Sequence, residues 1–75
     1  MVKKLQDYNT YKLEDNQIYI EIDRITHNKI EYLLLCEEKN NRNICVRKII
    51  IENGKKYLTT ISEEEFLEVI NLFNK

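Results

Sequence analysis

The chain has 75 residues, of which 43% are apolar and 33% charged, and its formal net charge is −1. This length and composition predict one small globular domain spanning residues 1–75, because the chain is too short for two hydrophobic cores and too apolar for intrinsic disorder. The near-neutral charge argues against a strong field for nucleic acid or anionic membranes, and no apolar run approaches the roughly 18 residues of a membrane span.

The N-terminal residues carry the weakest structural signals. Residues 1–16 are either a loose arm or an extra strand at about residues 8–13, followed by a turn at Asp15-Asn16. The first residues are basic but lack the apolar stretch of a signal peptide, so we expect a cytoplasmic protein. Two cysteines in that compartment should be reduced thiols.

The middle of the chain alternates between apolar and polar residues. In residues 17–23, QIYIEID, isoleucine recurs at every second position, which is the period of a half-buried strand. Further strands are predicted at residues 30–37, 44–52 and 56–61. The breaks at His27-Asn28, Asn40-Asn41 and Asn53-Gly54 contain residues that tolerate the positive φ of two-residue hairpin turns.

The chain ends in a predicted amphipathic helix. Ser62 and Glu65 have the spacing of a capping box, in which Ser62 accepts a backbone N–H and Glu65 reaches back. Apolar residues then recur at helical spacing, at Phe66, Val69, Ile70 and Phe73. The sequence therefore predicts an α+β fold: an antiparallel β-meander of four to five strands with one C-terminal α-helix packed on one face.

Two-residue turns would fix which residues share a face of the sheet. They predict that Cys36 faces Cys45, that Ile50 faces Tyr57, and that Ile22 and Ile20 face Leu33 and Leu35. The face expected to lie under the helix then collects Ile18, Ile20, Ile22, Leu33, Leu35, Ile44, Val46, Ile50, Tyr57 and Ile61.

The other face is mixed, with an apolar centre ringed by charge, and it is the predicted interaction surface. Its partner-binding candidates are Tyr19, Tyr32, Leu34, Arg47, Ile49, Ile51, Lys56 and Leu58. Three alternatives remain for what covers this face of the sheet: the N-terminal segment with Leu5, Tyr8 and Tyr11, a second copy in a homodimer, or another protein.

No chemistry-bearing cluster stands out, so we expect no catalytic, cofactor or metal site and no enzyme. Cys36 and Cys45 lack the paired spacing of zinc ligands, and His27 lies about 30 Å away along the strand. The remaining interpretations are two half-buried thiols, a disulfide under oxidising conditions, or a zinc site shared between two chains.

The segment from residue 18 to 73 resembles the small YrzB-like family of proteins of unknown function from low-GC Gram-positive bacteria. The similar segments are EYLLLCEE at 31–38, ICVRKIIIENGKKYLTTI at 44–61 and SEEEFLEVINLF at 62–73. The first 17 residues depart from the acidic hairpin expected of that family, and the charge is more balanced. The resemblance implies a bacterial origin and a meander with a helix, and it supplies no catalytic or ligand residues.

Three functions follow as hypotheses. The favoured one is a small non-enzymatic protein-interaction or regulatory module that uses the mixed face. The alternative is a phage or mobile-element inhibitor that binds a host protein or nucleoprotein complex. The third is binding of single-stranded nucleic acid, with bases stacked on Tyr19, Tyr32 and Tyr57 beside the basic residues Arg42, Arg47, Lys48, Lys55 and Lys56. No membrane partner is expected.

Overall fold

The computed structural model describes residues 9–74 as five antiparallel strands followed by one helix. The strands are β1 (Thr10–Lys12), β2 (Ile18–His27), β3 (Ile30–Glu37), β4 (Ile44–Glu52) and β5 (Lys55–Thr59), and they lie side by side in chain order. Helix α1 (Glu63–Ile70) continues into a short 3₁₀ turn at Asn71–Asn74. The predicted α+β meander is confirmed, and β1 supplies the extra N-terminal strand; Leu5 and Tyr8 lie outside the described residues.

The β4–β5 hairpin has the predicted register. Asn53 and Gly54 adopt φ of 53° and 78°, the left-handed values that a tight hairpin turn requires at both positions. Ile50 therefore faces Tyr57 and Ile49 faces Leu58, as expected.

The β2–β3 hairpin differs from its prediction in two ways. The turn is formed by Asn28 and Lys29, with φ of 54° and 68°, one residue later than expected. In addition, the register shifts between Glu21 and Asp23, so Ile22 is an extra residue in β2. As a result Leu33 faces Arg24 and Leu35 faces Glu21, and the predicted pairing of both leucines with isoleucines is wrong.

The connection between β3 and β4 is longer than the predicted two-residue turn. It is closed by backbone bonds from Asn40 to Glu37 at 3.3 Å and from Asn43 to Asn40 at 2.9 Å. The register moves by one residue, so Leu35 faces Cys45 and Cys36 faces Ile44. Because neighbouring residues of a strand point to opposite faces, Cys36 and Cys45 lie on opposite faces of the sheet, and their predicted pairing is wrong.

The helix covers a face centred on Tyr32 and Val46, which pack with Val69 and Phe73 into one core cluster. Val69 is fully buried and the predicted helix stripe is confirmed as core. The predicted composition of this face is wrong for Leu33 and Leu35, which lie on the opposite face, whereas Val46 and Ile61 pack on the helix side as predicted. One-residue shifts in the hairpins on both sides of β3 turn the side chains of β3 to the other face of the sheet.

The second core cluster lies on the face away from the helix. Tyr19, Leu33 and Leu35 are buried there, and Tyr11, Leu13, Cys45, Ile49 and Leu58 pack around them. The β1–β2 connection reaches across to β4, where Glu14 accepts a bond from the Arg47 guanidinium at 2.7 Å. The N-terminal hairpin thus covers part of the predicted interaction surface from within the chain.

Candidate functional site: the open edge of β4

The structure does not bring the predicted partner-binding residues together on one exposed surface. Tyr32 and Leu34 lie under the helix, whereas Tyr19, Arg47, Ile49 and Leu58 lie on the opposite face. Tyr19 and Tyr32 are only 4% and 3% exposed, while Ile51 is 67% exposed and pairs with the exposed Lys56 near the tip of the β4–β5 hairpin. The assumed single face is therefore corrected, because the β2 bulge and the longer β3–β4 loop divide it.

The two buried tyrosines use their hydroxyls inside the fold. Tyr19 donates to Asp15 at 2.8 Å, and this hydrogen bond is the main reason that the pKa of Tyr19 is raised to about 12. Tyr32 donates to Glu65 of the helix, and burial together with this bond raises the pKa of Tyr32 to about 12. Buried rings cannot serve as a platform for stacked bases, so the predicted nucleic-acid surface is not formed by these two residues.

Strand β4 has an edge without a partner over its first half. Strand β5 pairs only with Lys48–Glu52, because the chain leaves the sheet after Thr59 to start the helix. Within the described part of the chain, no strand therefore pairs with residues 44–47 on the β5 side.

The hydrogen-bond phase of β4 shows which backbone groups face this edge. Glu37 N–H donates to Asn43 C=O at 2.9 Å, so residue 43 and then every second residue point toward β3. The N–H and C=O groups of Ile44 and Val46 consequently point away from β3. Only Ile44 is open to solvent there, since it is 49% exposed, whereas Val46 is 3% exposed. Within residues 9–74, the Arg47 guanidinium donates to Val46 C=O at this edge over a long distance of 3.4 Å.

A groove of about 410 Å³ runs along this edge. It is lined by Ile44, Cys45, Val46, Arg47, Thr60, Ile61, Ser62, Glu63 and Phe66. Val46, Ile61 and Phe66 make its floor apolar and belong to the helix-side core, and Arg47 and Glu63 add one charge of each sign. Burial raises the pKa of the Cys45 thiol, which favours its neutral form. We call residues 44–47 with this groove the β4 edge.

The β4 edge carries no charged side chain at residues 44–46, although Arg47 follows directly. Strand β5, whose outer edge has no strand partner in the described sheet, carries Lys55 and Lys56. The part of β2 that extends beyond β1 has a bulge followed by Asp23 and Arg24. Charges and bulges of this kind oppose pairing with another chain. The β4 edge instead presents the uncharged sequence Ile44-Cys45-Val46.

Sequence reasoning missed this site although a signal was present. The Asn53-Gly54 turn fixes the β4–β5 register, and continuing that register would pair Ile44 with Glu63. Glu63, however, follows the helix cap Ser62 and cannot also lie in a strand. The sequence therefore indicates that β5 ends too early to pair with the first residues of β4.

The described residues contain no cluster of side chains suited to a metal ion. Among residues 9–74, no group of three His, Cys, Asp or Glu side chains is placed to hold a metal ion. Cys36 and Cys45 are both free thiols and half-buried. No helix in the same range has the length and apolar character needed to cross a membrane.

No protein-family model, curated protein or solved structure matches this chain. The resemblance to the YrzB-like family stays a prediction, and the function has to be argued from the geometry.

Proposed function

We propose that this chain is a small, non-enzymatic protein-interaction module that binds an extended protein segment along the β4 edge. The observation that supports this proposal is the half-exposed Ile44, which has no strand partner on the β5 side and lies beside an apolar groove. The proposal keeps the predicted functional class but moves the surface from the sheet face to the sheet edge. A cytoplasmic location belongs to the same proposal.

Strand addition suits both parts of the β4 edge. An added strand forms main-chain hydrogen bonds with the N–H and C=O groups of Ile44, and these supply affinity without requiring one sequence. Alternate side chains of that strand point to the same side, so every second residue enters the groove beside Val46, Ile61 and Phe66. An inhibitor of phage or mobile-element origin would use the edge in the same way.

Proline substitution provides a selective test, because it removes one backbone donor. Ile44→Pro deletes an N–H that points to the open edge, at the first residue of β4, where a strand tolerates proline. Lys56→Pro deletes an outward-pointing N–H on the free edge of β5 and is the matched control. Ile44→Val retains the N–H and most of the side chain, and it separates the backbone effect from the side-chain effect.

Tagged versions of these variants, each confirmed to be folded by circular dichroism, would be used to capture proteins from a source-cell lysate. We expect wild type, Lys56→Pro and Ile44→Val to retain the same protein, including any untagged copy of this chain, and Ile44→Pro to lose it. Equal retention by Ile44→Pro and Lys56→Pro would show that the β4 edge is not the binding surface.

A further inference from the structure

We propose that the extended segment bound at the β4 edge is a basic one, in which an aliphatic residue has a lysine or arginine beside it. This inference rests on the proposed function and names the chemistry of its partner. It follows from the face on which a bound side chain would lie and from the charges that line the groove.

The groove is suited to an aliphatic side chain on its helix side. Ile44 and Val46 share a face of the sheet because they are two positions apart in one strand, and Val46 belongs to the helix-side core. A residue that pairs with Ile44 places its own side chain on that same face. The groove is apolar there, since Val46, Ile61 and Phe66 line it. An aliphatic residue therefore fits opposite Ile44.

Arg47, the positive charge that lines the groove, is already neutralised within the chain. Its guanidinium lies 2.7 Å from the carboxylate of Glu14, and its side chain is 15% exposed. It also donates to the C=O of Val46. An acidic segment would have to displace Glu14 to pair with this arginine, so the groove does not favour an acidic partner.

Glu63 is the negative charge that lines the groove, and it is exposed at the first residue of α1. Among residues 9–74 it belongs to no ion pair, whereas Glu65 of the same turn lies 3.2 Å from Lys48. With Arg47 neutralised, the groove carries a net negative charge. A lysine or arginine of the bound segment would gain an ion pair with Glu63, and an acidic residue would be repelled.

Three blocked heptapeptides that differ in charge provide the probe: TKVKVKT, TEVEVET and TSVSVST. In an extended strand their valines lie on one side, so the apolar contact is the same in all three. Each would be titrated into the isotopically labelled, reduced protein, and the shift of the Ile44 amide signal in nuclear magnetic resonance spectra would report both the site and the affinity. Ile44→Pro should bind none of them, because it lacks the backbone donor.

We expect wild type to bind TKVKVKT about fivefold more tightly than TEVEVET at low salt, with TSVSVST between them. The factor is modest because exposed attractive and repulsive charge pairs each change an affinity by a small amount. The ratio should approach one at about 1 M salt, where the screening length falls to about 3 Å.

Glu63→Gln removes the charge at the groove, and Glu64→Gln is its matched control. Glu64 is the next residue of α1 and is not among the residues that line the groove. Both glutamates lie in the first turn, so the two changes affect the helix dipole similarly. We expect Glu63→Gln to reduce the ratio to less than about twofold, whereas Glu64→Gln should retain most of it.

Equal affinity for the three peptides, with the Ile44 signal still shifted, would overturn the basic segment and leave the proposed function standing. Equal loss of selectivity in Glu63→Gln and Glu64→Gln would also overturn it, because the acidic start of the helix as a whole would then attract the peptide. If no peptide shifts the Ile44 signal at about 10 mM, both proposals are wrong, since backbone pairing does not require one sequence.

Discussion

Tyr32 connects the sheet to the helix through its hydroxyl, which donates to the carboxylate of Glu65, while Lys48 Nζ lies 3.2 Å from the same carboxylate. Tyr32→Phe removes this donor and retains the buried ring. Because hydrogen bonds to charged acceptors contribute more than neutral ones, we expect the free energy of unfolding to fall by about 1–2 kcal/mol near neutral pH. Urea unfolding of the two proteins measures the difference, and an unchanged midpoint would show that the bond contributes nothing.

The same pair predicts how this stability difference depends on pH. The hydrogen bond from Tyr32, assisted by Lys48, lowers the pKa of Glu65 below its ordinary value of 4.5, so this contribution is present above pH 4.5 and is lost as pH falls through the lowered pKa. The raised pKa of Tyr32 acts in the opposite direction. Its contribution is present below the ordinary phenol value of 10.0 and is lost as pH rises toward about 12.

The difference between wild type and Tyr32→Phe should therefore be largest between these two limits and shrink at both extremes. Unfolding experiments across the pH range would test this shape. A difference that is constant with pH would indicate that Tyr32→Phe acts through altered packing of the ring.

At the level of elements, the helix depends on its N-terminal cap. Ser62 Oγ accepts the backbone N–H of Glu65 at 3.1 Å, and three glutamates occupy the first turn, where the helix dipole favours negative charge. Ser62→Ala should lower the free energy of unfolding by about 1 kcal/mol, whereas Ser62→Asp should retain most of it. Chemical denaturation of both variants provides the measurement. Equal losses in Ser62→Ala and Ser62→Asp would mean that the hydroxyl itself, and not an oxygen acceptor, is required.

The elements that sequence predicted best are those whose signals are local. The cap at Ser62, the apolar stripe ending at Phe73 and the Asn53-Gly54 turn each depend on a few neighbouring residues, and all three are confirmed. Only half of the predicted capping box forms as expected, since the Glu65 carboxylate binds Tyr32 and Lys48, two residues that are remote in sequence.

The faces of the sheet could not be predicted, because each depends on a one-residue detail. Lys29 adopts φ of 68°, which a non-glycine residue rarely does, and Ile22 forms a bulge within an unbroken alternating pattern. Neither has a distinctive sequence signal. The predicted interaction surface was wrong for this reason. Tyr32 and Leu34, which were assigned to it, lie under the helix, and Leu33 and Leu35 lie on the opposite face.

At the scale of the whole molecule, both faces of the sheet are packed against other parts of the described chain, whereas the start of β4 has no strand beside it on the β5 side. The helix packs over Tyr32 and Val46, and the N-terminal hairpin packs Tyr11 and Leu13 against the opposite cluster. A chain of this size has few elements with which to cover a sheet. The capped helix begins before β5 could pair with the whole of β4, and the β4 edge is the part left open by this arrangement.

Hydrogen exchange would test the β4 edge directly in the intact chain. In dilute protein, the amides of Cys45 and Arg47 should exchange slowly because β3 accepts them, while Ile44 should exchange quickly because it is 49% exposed and its N–H group has no strand partner. Adding a protein that binds along the β4 edge should slow exchange selectively at Ile44, since the bound strand supplies the missing acceptor. Protection of Ile44 in the dilute monomer would mean that the chain already covers this edge, and neither a second copy nor another protein could then pair with it.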